Sequence, residues 1–89
     1  DVPEVQHEFG TPQARPIHRA TPAALRRESF PAGSMGPKVE AVCRFVELTG
    51  DMAAIGRLED AVAIIRGEAG TVVTPSGAYP EQPRVVAVA

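Results

Sequence analysis

An α/β layered fold with a parallel or mixed sheet is predicted by three features of this 89-residue sequence. Helix-like and strand-like apolar periods alternate along residues 38–74, Thr, Pro and Gly stand where helices start and stop, and the strand-like stretches are short and apolar or β-branched. The resulting order is helix, strand, helix, strand. Two short central strands with at most one more cannot cover a sheet's apolar faces unaided, so they read as the edge of a larger sheet.

In chain order, residues 1–20 carry Pro3, Gly10, Pro12 and Pro16. That punctuation is too frequent for a helix, so a loop with one short strand around 4–9 is expected. Thr21-Pro22 has the form of an N-cap followed by proline at the first helical position, where a missing N–H costs nothing, and it predicts a short helix over 22–28. A glycine-bearing loop over 30–37 follows. Then Val39, Val42, Cys43, Phe45 and Val46 recur at helical spacing within 38–48, with Gly50 just past the end. Residues 52–55 are an apolar run of strand length. Residues 58–66 place Leu58, Ala61, Val62 and Ile65 on one predicted helix face, closed by Gly67 and Gly70. The stretch 71–74 is β-branched throughout and predicts a buried strand. Residues 1–75 read as one portion of a domain, and 76–89 as a flexible tail whose final VVAVA could add an edge strand.

Composition narrows the function classes. A formal charge of -2 gives no basic field for nucleic acid, and three Phe, one Tyr and no Trp are little material for stacking bases. The apolar runs are short and the start DVPEVQHEFG has neither a basic nor an apolar leader, so no membrane span or signal peptide is expected. One cysteine, Cys43, allows no internal disulfide, and no Cys/His set has zinc-ligand spacing, which points to a reducing cytoplasm. Chains of this length bury only about 60–65% of their unfolded surface and have marginal cores. With Asp1 rather than Met in first place, an upstream continuation is expected.

The informative stretch is Gly33-Ser34-Met35-Gly36-Pro37-Lys38-Val39-Glu40-Ala41. Here a glycine-bearing loop runs into a helix whose first turn holds a lysine. Helix N-termini present unpaired N–H groups and about half a positive charge, and glycines let an anion come close to the backbone. At about 4 Å and an effective dielectric near 20, an ammonium and one phosphate charge attract by about 4 kcal/mol before desolvation. The helix dipole contributes only ~0.3–1 kcal/mol, so Lys38 dominates the candidate site. The spacing is not that of the Walker loop GxxxxGK[ST], and a helix start with a solvated lysine is the alternative reading.

The string GSMGPKVEA resembles a signature of carbamate kinases. Two further stretches are similar to that family in the same order: DVPEVQHEFGTPQARPI, with its FGTP turn, and LEDAVAIIRGEAGTVVTP, with its helix, glycine turn and last strand. The resemblance covers residues 1–75. It implies the C-terminal part of an αβα-sandwich amino-acid kinase fold, the part that holds the nucleotide. It also implies phosphoryl transfer between ATP and carbamate, giving ADP and carbamoyl phosphate, with magnesium shielding the phosphates, in a homodimeric enzyme of arginine metabolism. By the same resemblance Lys38 contacts the transferring phosphate, Gly33, Met35 and Gly36 shape the nucleotide pocket, and Asp1, Val2 and Val5 line its nucleoside side. Gln6 and the His7-Glu8 pair depart from the family pattern. The glycine-rich phosphate loops, further lysines and catalytic aspartate of that family have no counterpart in these residues, so the chain alone is expected to be inactive. Another phosphotransferase of the amino-acid kinase superfamily and a non-catalytic remnant are the competing readings.

Other polar residues have plainer readings. His7 and His18 have no carboxylate or cysteine at ligand spacing and are expected to be solvated, and Arg15, Arg19, Arg26 and Arg27 to form solvated faces. Cys43 falls on the apolar side of its helix as an inert core thiol. Glu40, Arg44 and Glu47 have the spacing of ordinary surface pairs. Met35 would serve equally as packing under the loop.

Overall fold

The computed structural model describes residues 3–30, 33, 35–81 and 83. Its first element contains the short strand expected around 4–9 and adds a second strand that was not expected. Strands β1 (Val5–His7) and β2 (Arg15–Ile17) form an antiparallel hairpin, with Val5 opposite Ile17 and His7 opposite Arg15. Prolines exclude a helix here, but a two-stranded ladder consists only of edge strands, which tolerate Pro16 and its missing N–H. The turn between them holds Glu8 and Gly10 at positive φ, 53° and 85°. The Thr11 hydroxyl closes it by donating to the Glu8 carbonyl at 2.8 Å.

A second unforeseen strand, β3 (Arg19–Ala20), leads into α1 (Pro22–Arg26). The cap is as the sequence predicts: Thr21 Oγ1 accepts the Ala24 N–H at 3.1 Å, with Pro22 opening the helix. Helix α2 (Met35–Thr49) begins three residues before the expected start at 38. Pro37 therefore lies inside its first turn, where N–H groups have no intrahelical partner to lose. Val39, Val42, Cys43 and Val46 form its buried face. At the far end Gly50 adopts φ 75° and donates its N–H to the Val46 carbonyl at 2.8 Å.

Strand β4 (Ala53–Ile55) and strand β5 (Thr71–Val73) are buried at every position. The sheet has the order β3-β5-β4, with β3 parallel and β4 antiparallel to the central β5. It is thus mixed. Alternation along the strands divides the core in two. Ala53, Ile55 and Val73 join Val5, Leu25 and the inner face of α2 on one side. Ala54 and Val72 join Met52 and Ile64 on the other, where Tyr79 and Ala69 pack.

The segment after β4 departs most from its expected form. One helix over 58–66 becomes a 3-10 turn, Leu58–Asp60, and a short α3, Ala61–Ile65. The predicted apolar face points outward: Leu58 is 77% exposed and Val62 62%, whereas Ile64 is fully buried. A five-residue helix is too short for a periodic stripe to dictate its orientation, and close packing decides it instead. Ile64 fills the space left by two glycines, since a Cβ at Gly56 would lie 2.7 Å from its Cδ1 and one at Gly70 2.9 Å from its Cγ1. Burying an isoleucine in this way contributes roughly 1.5–3 kcal/mol. Beyond β5, Tyr79 lies against Gly67 and donates its hydroxyl to the Ile64 carbonyl at 3.0 Å, so residues up to 79 pack onto the sheet. The edge strand expected of the final VVAVA lies outside the described residues.

Candidate functional site

The loop-to-helix corner at α2 assembles part of the residue set read from the sequence. Gly33 has φ 147°, a conformation that glycine adopts readily. Gly36 is different. It does not have positive φ, and among the described residues a Cβ built on it would meet only Phe30 Cβ, at an ordinary 3.8 Å. Neither backbone strain nor crowding by the described residues therefore requires glycine at 36.

Lys38 is half-buried in that turn. Among the described residues its ammonium forms no ion pair. Met35 packs partly buried against the core cluster that contains Val5 and Val39. Val5 itself has no exposed surface, and its N–H donates to Thr71 Oγ1 at 2.8 Å, so it supports the corner from within the core. Asp1 and Val2 lie outside the described residues. The corner thus places Gly36 and Lys38, which has no ion pair among the described residues, in one helical turn over a packed hydrophobic floor.

Several polar residues have partners that lie far away in sequence. Glu40 and Glu47, expected to pair with Arg44, both bind Arg26 of α1. The Arg26 guanidinium donates to Glu40 at 3.0 and 3.1 Å and to Glu47 through its other terminal nitrogen. It gains chiefly from its hydrogen bond to Glu40, which pushes its acidity further from the neutral range. Arg26 is therefore an exposed residue that also clamps α1 to α2. His7 is likewise paired, its Nδ1 2.9 Å from both carboxylate oxygens of Glu28. Neither contact has a local sequence signal, because the partners are 14 to 21 residues apart. Cys43 is buried as expected, its thiol 3.7 Å from the Pro22 carbonyl oxygen, and burial raises its pKa.

A mixed sheet packed on both faces, with Lys38 in the first turn of its longest helix, defines an α/β unit. No family model matches the chain. A carbamate kinase of Rhizobium meliloti (strain 1021) is 53% identical over 68 residues, covering 76% of this chain and 21% of its own length. A carbamate kinase of Haemophilus influenzae is 43% identical over 74 residues, covering 83% of this chain and 24% of its own. A crystal structure of an Aeropyrum pernix K1 protein matches with a TM-score of 0.66 and 47% identity, covering 83% of this chain and 25% of that one. The chain is a sequence relative of the carbamate kinases, and it spans about a quarter of their length.

Proposed function

We propose that this chain is the C-terminal, nucleotide-holding portion of a carbamate kinase, working in phosphoryl transfer between ATP and carbamate to give ADP and carbamoyl phosphate. Homology to enzymes of that name supports the reading. The observation that carries it is the Lys38 ammonium, which has no ion-pair partner among the described residues and stands in the first turn of α2, two residues after Gly36. A positioned cation stabilises the charge that spreads over the oxygens of a moving phosphoryl group, and the first-turn N–H groups add to it.

In this proposal Lys38 contacts the phosphate, Gly33, Met35 and Gly36 shape the pocket, and Asp1, Val2 and Val5 back its nucleoside side. Val5 acts through the core rather than by touching the ligand. Magnesium belongs to the reaction as a companion of the nucleotide phosphates. Among the described residues no group of three or more His, Cys, Asp or Glu could hold a metal ion. Carbamate binding and homodimer formation fall to the rest of the enzyme. No helix among the described residues is long and apolar enough to cross a membrane, and one buried free cysteine suits the cytoplasm.

The test is a chimera in which this chain replaces the matching segment of the Rhizobium meliloti carbamate kinase. ATP formation from carbamoyl phosphate and ADP is expected in the chimera and not in the 89-residue chain alone. Lys38→Met should lower the chimera's kcat/KM by about 100-fold or more, the scale of losing one transition-state charge contact. Arg44→Ala, an exposed change on the same helix, should leave it within about threefold. Equal and mild effects of the two changes would refute the assignment. Arg26 is unsuitable as the control because it clamps α1 to α2.

A further inference from the structure

We propose a second anion site, independent of the reading of Lys38, in the cleft between the β1–β2 hairpin and α1, suited to a small ligand that carries a phosphate group. The cleft is an open groove of about 420 Å³, and its lining includes His7, Arg15, His18, Arg19, Leu25 and Glu28. That volume is in the range of small-molecule sites. Four of the ten lining residues are His or Arg and one is acidic.

The arrangement of charge favours an anion. His7 and Arg15 are direct cross-strand partners, so their side chains share one face of the hairpin. The one carboxylate in the lining, Glu28, is half-buried and has both oxygens 2.9 Å from His7 Nδ1. It is therefore committed to the imidazole, and among the described residues neither Arg15 nor Arg19 has an ion-pair partner. Glu8 lies 3.7 Å from His7 Nε2, so His7 holds both nearby carboxylates and the two lining arginines keep their donors for a ligand.

His18 is oriented by the fold. Its Nδ1 lies 3.2 Å from the Gly70 carbonyl oxygen. Since a carbonyl only accepts, that nitrogen carries the proton and Nε2 is the remaining polar atom of the ring. Guanidinium forks match the spacing of phosphate and carboxylate oxygens. Two forks offer more donors than the two oxygens of a single carboxylate can take, whereas a phosphate group offers three terminal oxygens. Leu25 is fully buried and gives the cleft an apolar base, against which the non-phosphate part of a ligand can rest.

The experiment is a titration of the full 89-residue chain with inorganic phosphate at pH 7 and constant ionic strength, read by amide NMR shifts. Saturable shifts are expected at residues 15–19. Arg15→Gln and Arg19→Gln should each weaken binding by about tenfold or more, equivalent to about 1.4 kcal/mol. Arg44→Gln should leave it within about twofold. The spectrum also reports folding, and the two arginines lie on different strands, so either variant carries the test if the other unfolds. Absence of saturable shifts at 15–19 would overturn the site, as would weakening by Arg44→Gln as large as that by the cleft variants. Failure here leaves the chimera result untouched, and the reverse also holds.

Discussion

The Thr71 hydroxyl accepts the Val5 N–H at 2.8 Å, across 66 residues of sequence, and donates its own proton to the Ile17 carbonyl at 2.5 Å. Val5 and Ile17 face each other across the hairpin, so one buried hydroxyl ties both of its strands to the central strand β5. The hairpin is thereby part of the folded unit.

Thr71→Val keeps the shape of the side chain but leaves a buried N–H and a carbonyl without that partner. Each unmet buried group costs about 1–3 kcal/mol, so a loss of about 2–4 kcal/mol is expected in chemical denaturation. Amide exchange should accelerate most in residues 5–17. A loss below about 0.5 kcal/mol would show that the hydroxyl contributes little.

Arg26→Ala should lower the denaturation midpoint by releasing α1 from α2. The effect should shrink in about 1 M salt, where the screening length falls to about 3 Å. The sign with pH follows from Glu40, whose carboxyl is held below its ordinary value first by the hydrogen bond from Arg26. A depressed folded-state value means that the pair's contribution is complete above the unfolded carboxylate range and disappears as pH falls through the folded value. The acid limb of a stability-versus-pH curve should therefore be flatter in Arg26→Ala. A double-mutant cycle with Glu40→Gln measures the coupling.

Cys43 supplies the opposite, alkaline limb. Burial holds its thiol above the ordinary value. The unfolded thiol ionises at about 8.5, so stability is complete below that pH and falls as pH rises toward the folded value. In Cys43→Ala this component of the alkaline loss should vanish. At neutral pH the native thiol should react with alkylating reagents at a rate set by opening of the fold, and denaturant should raise that rate steeply.

Gly36→Ala separates stability from binding. Its Cβ would meet nothing closer than 3.8 Å, and alanine favours helix by up to about 1 kcal/mol, so the free chain should be unchanged or slightly more stable. In the chimera the same methyl group should narrow the approach to the first turn and raise the KM for ADP. Gly70→Ala is the contrasting case, because its Cβ would lie 2.9 Å from the Ile55 carbonyl oxygen at φ 67°, and it should destabilise the fold. An unchanged KM in Gly36→Ala would count against nucleotide contact at this corner.

The sequence by itself determined the α/β class, the Thr21 cap, the body of α2, both central strands, the burial of Cys43 and the relationship to carbamate kinases. These rest on signals carried by neighbouring residues: a capping pair, an apolar period sustained over three turns, β-branched runs and the string GSMGPKVEA. Tertiary structure decided the rest. The hairpin was hidden by prolines that exclude helices yet fit edge strands, and α3 was turned so that Ile64 entered the gap between Gly56 and Gly70 while Leu58 and Val62 faced out. The His7–Glu28 pair and the Arg26 clamp likewise join residues whose separation along the chain carries no period. Local patterns encode which elements form, whereas close packing and long-range ion pairing depend on which surfaces meet, and only the folded chain brings those surfaces together.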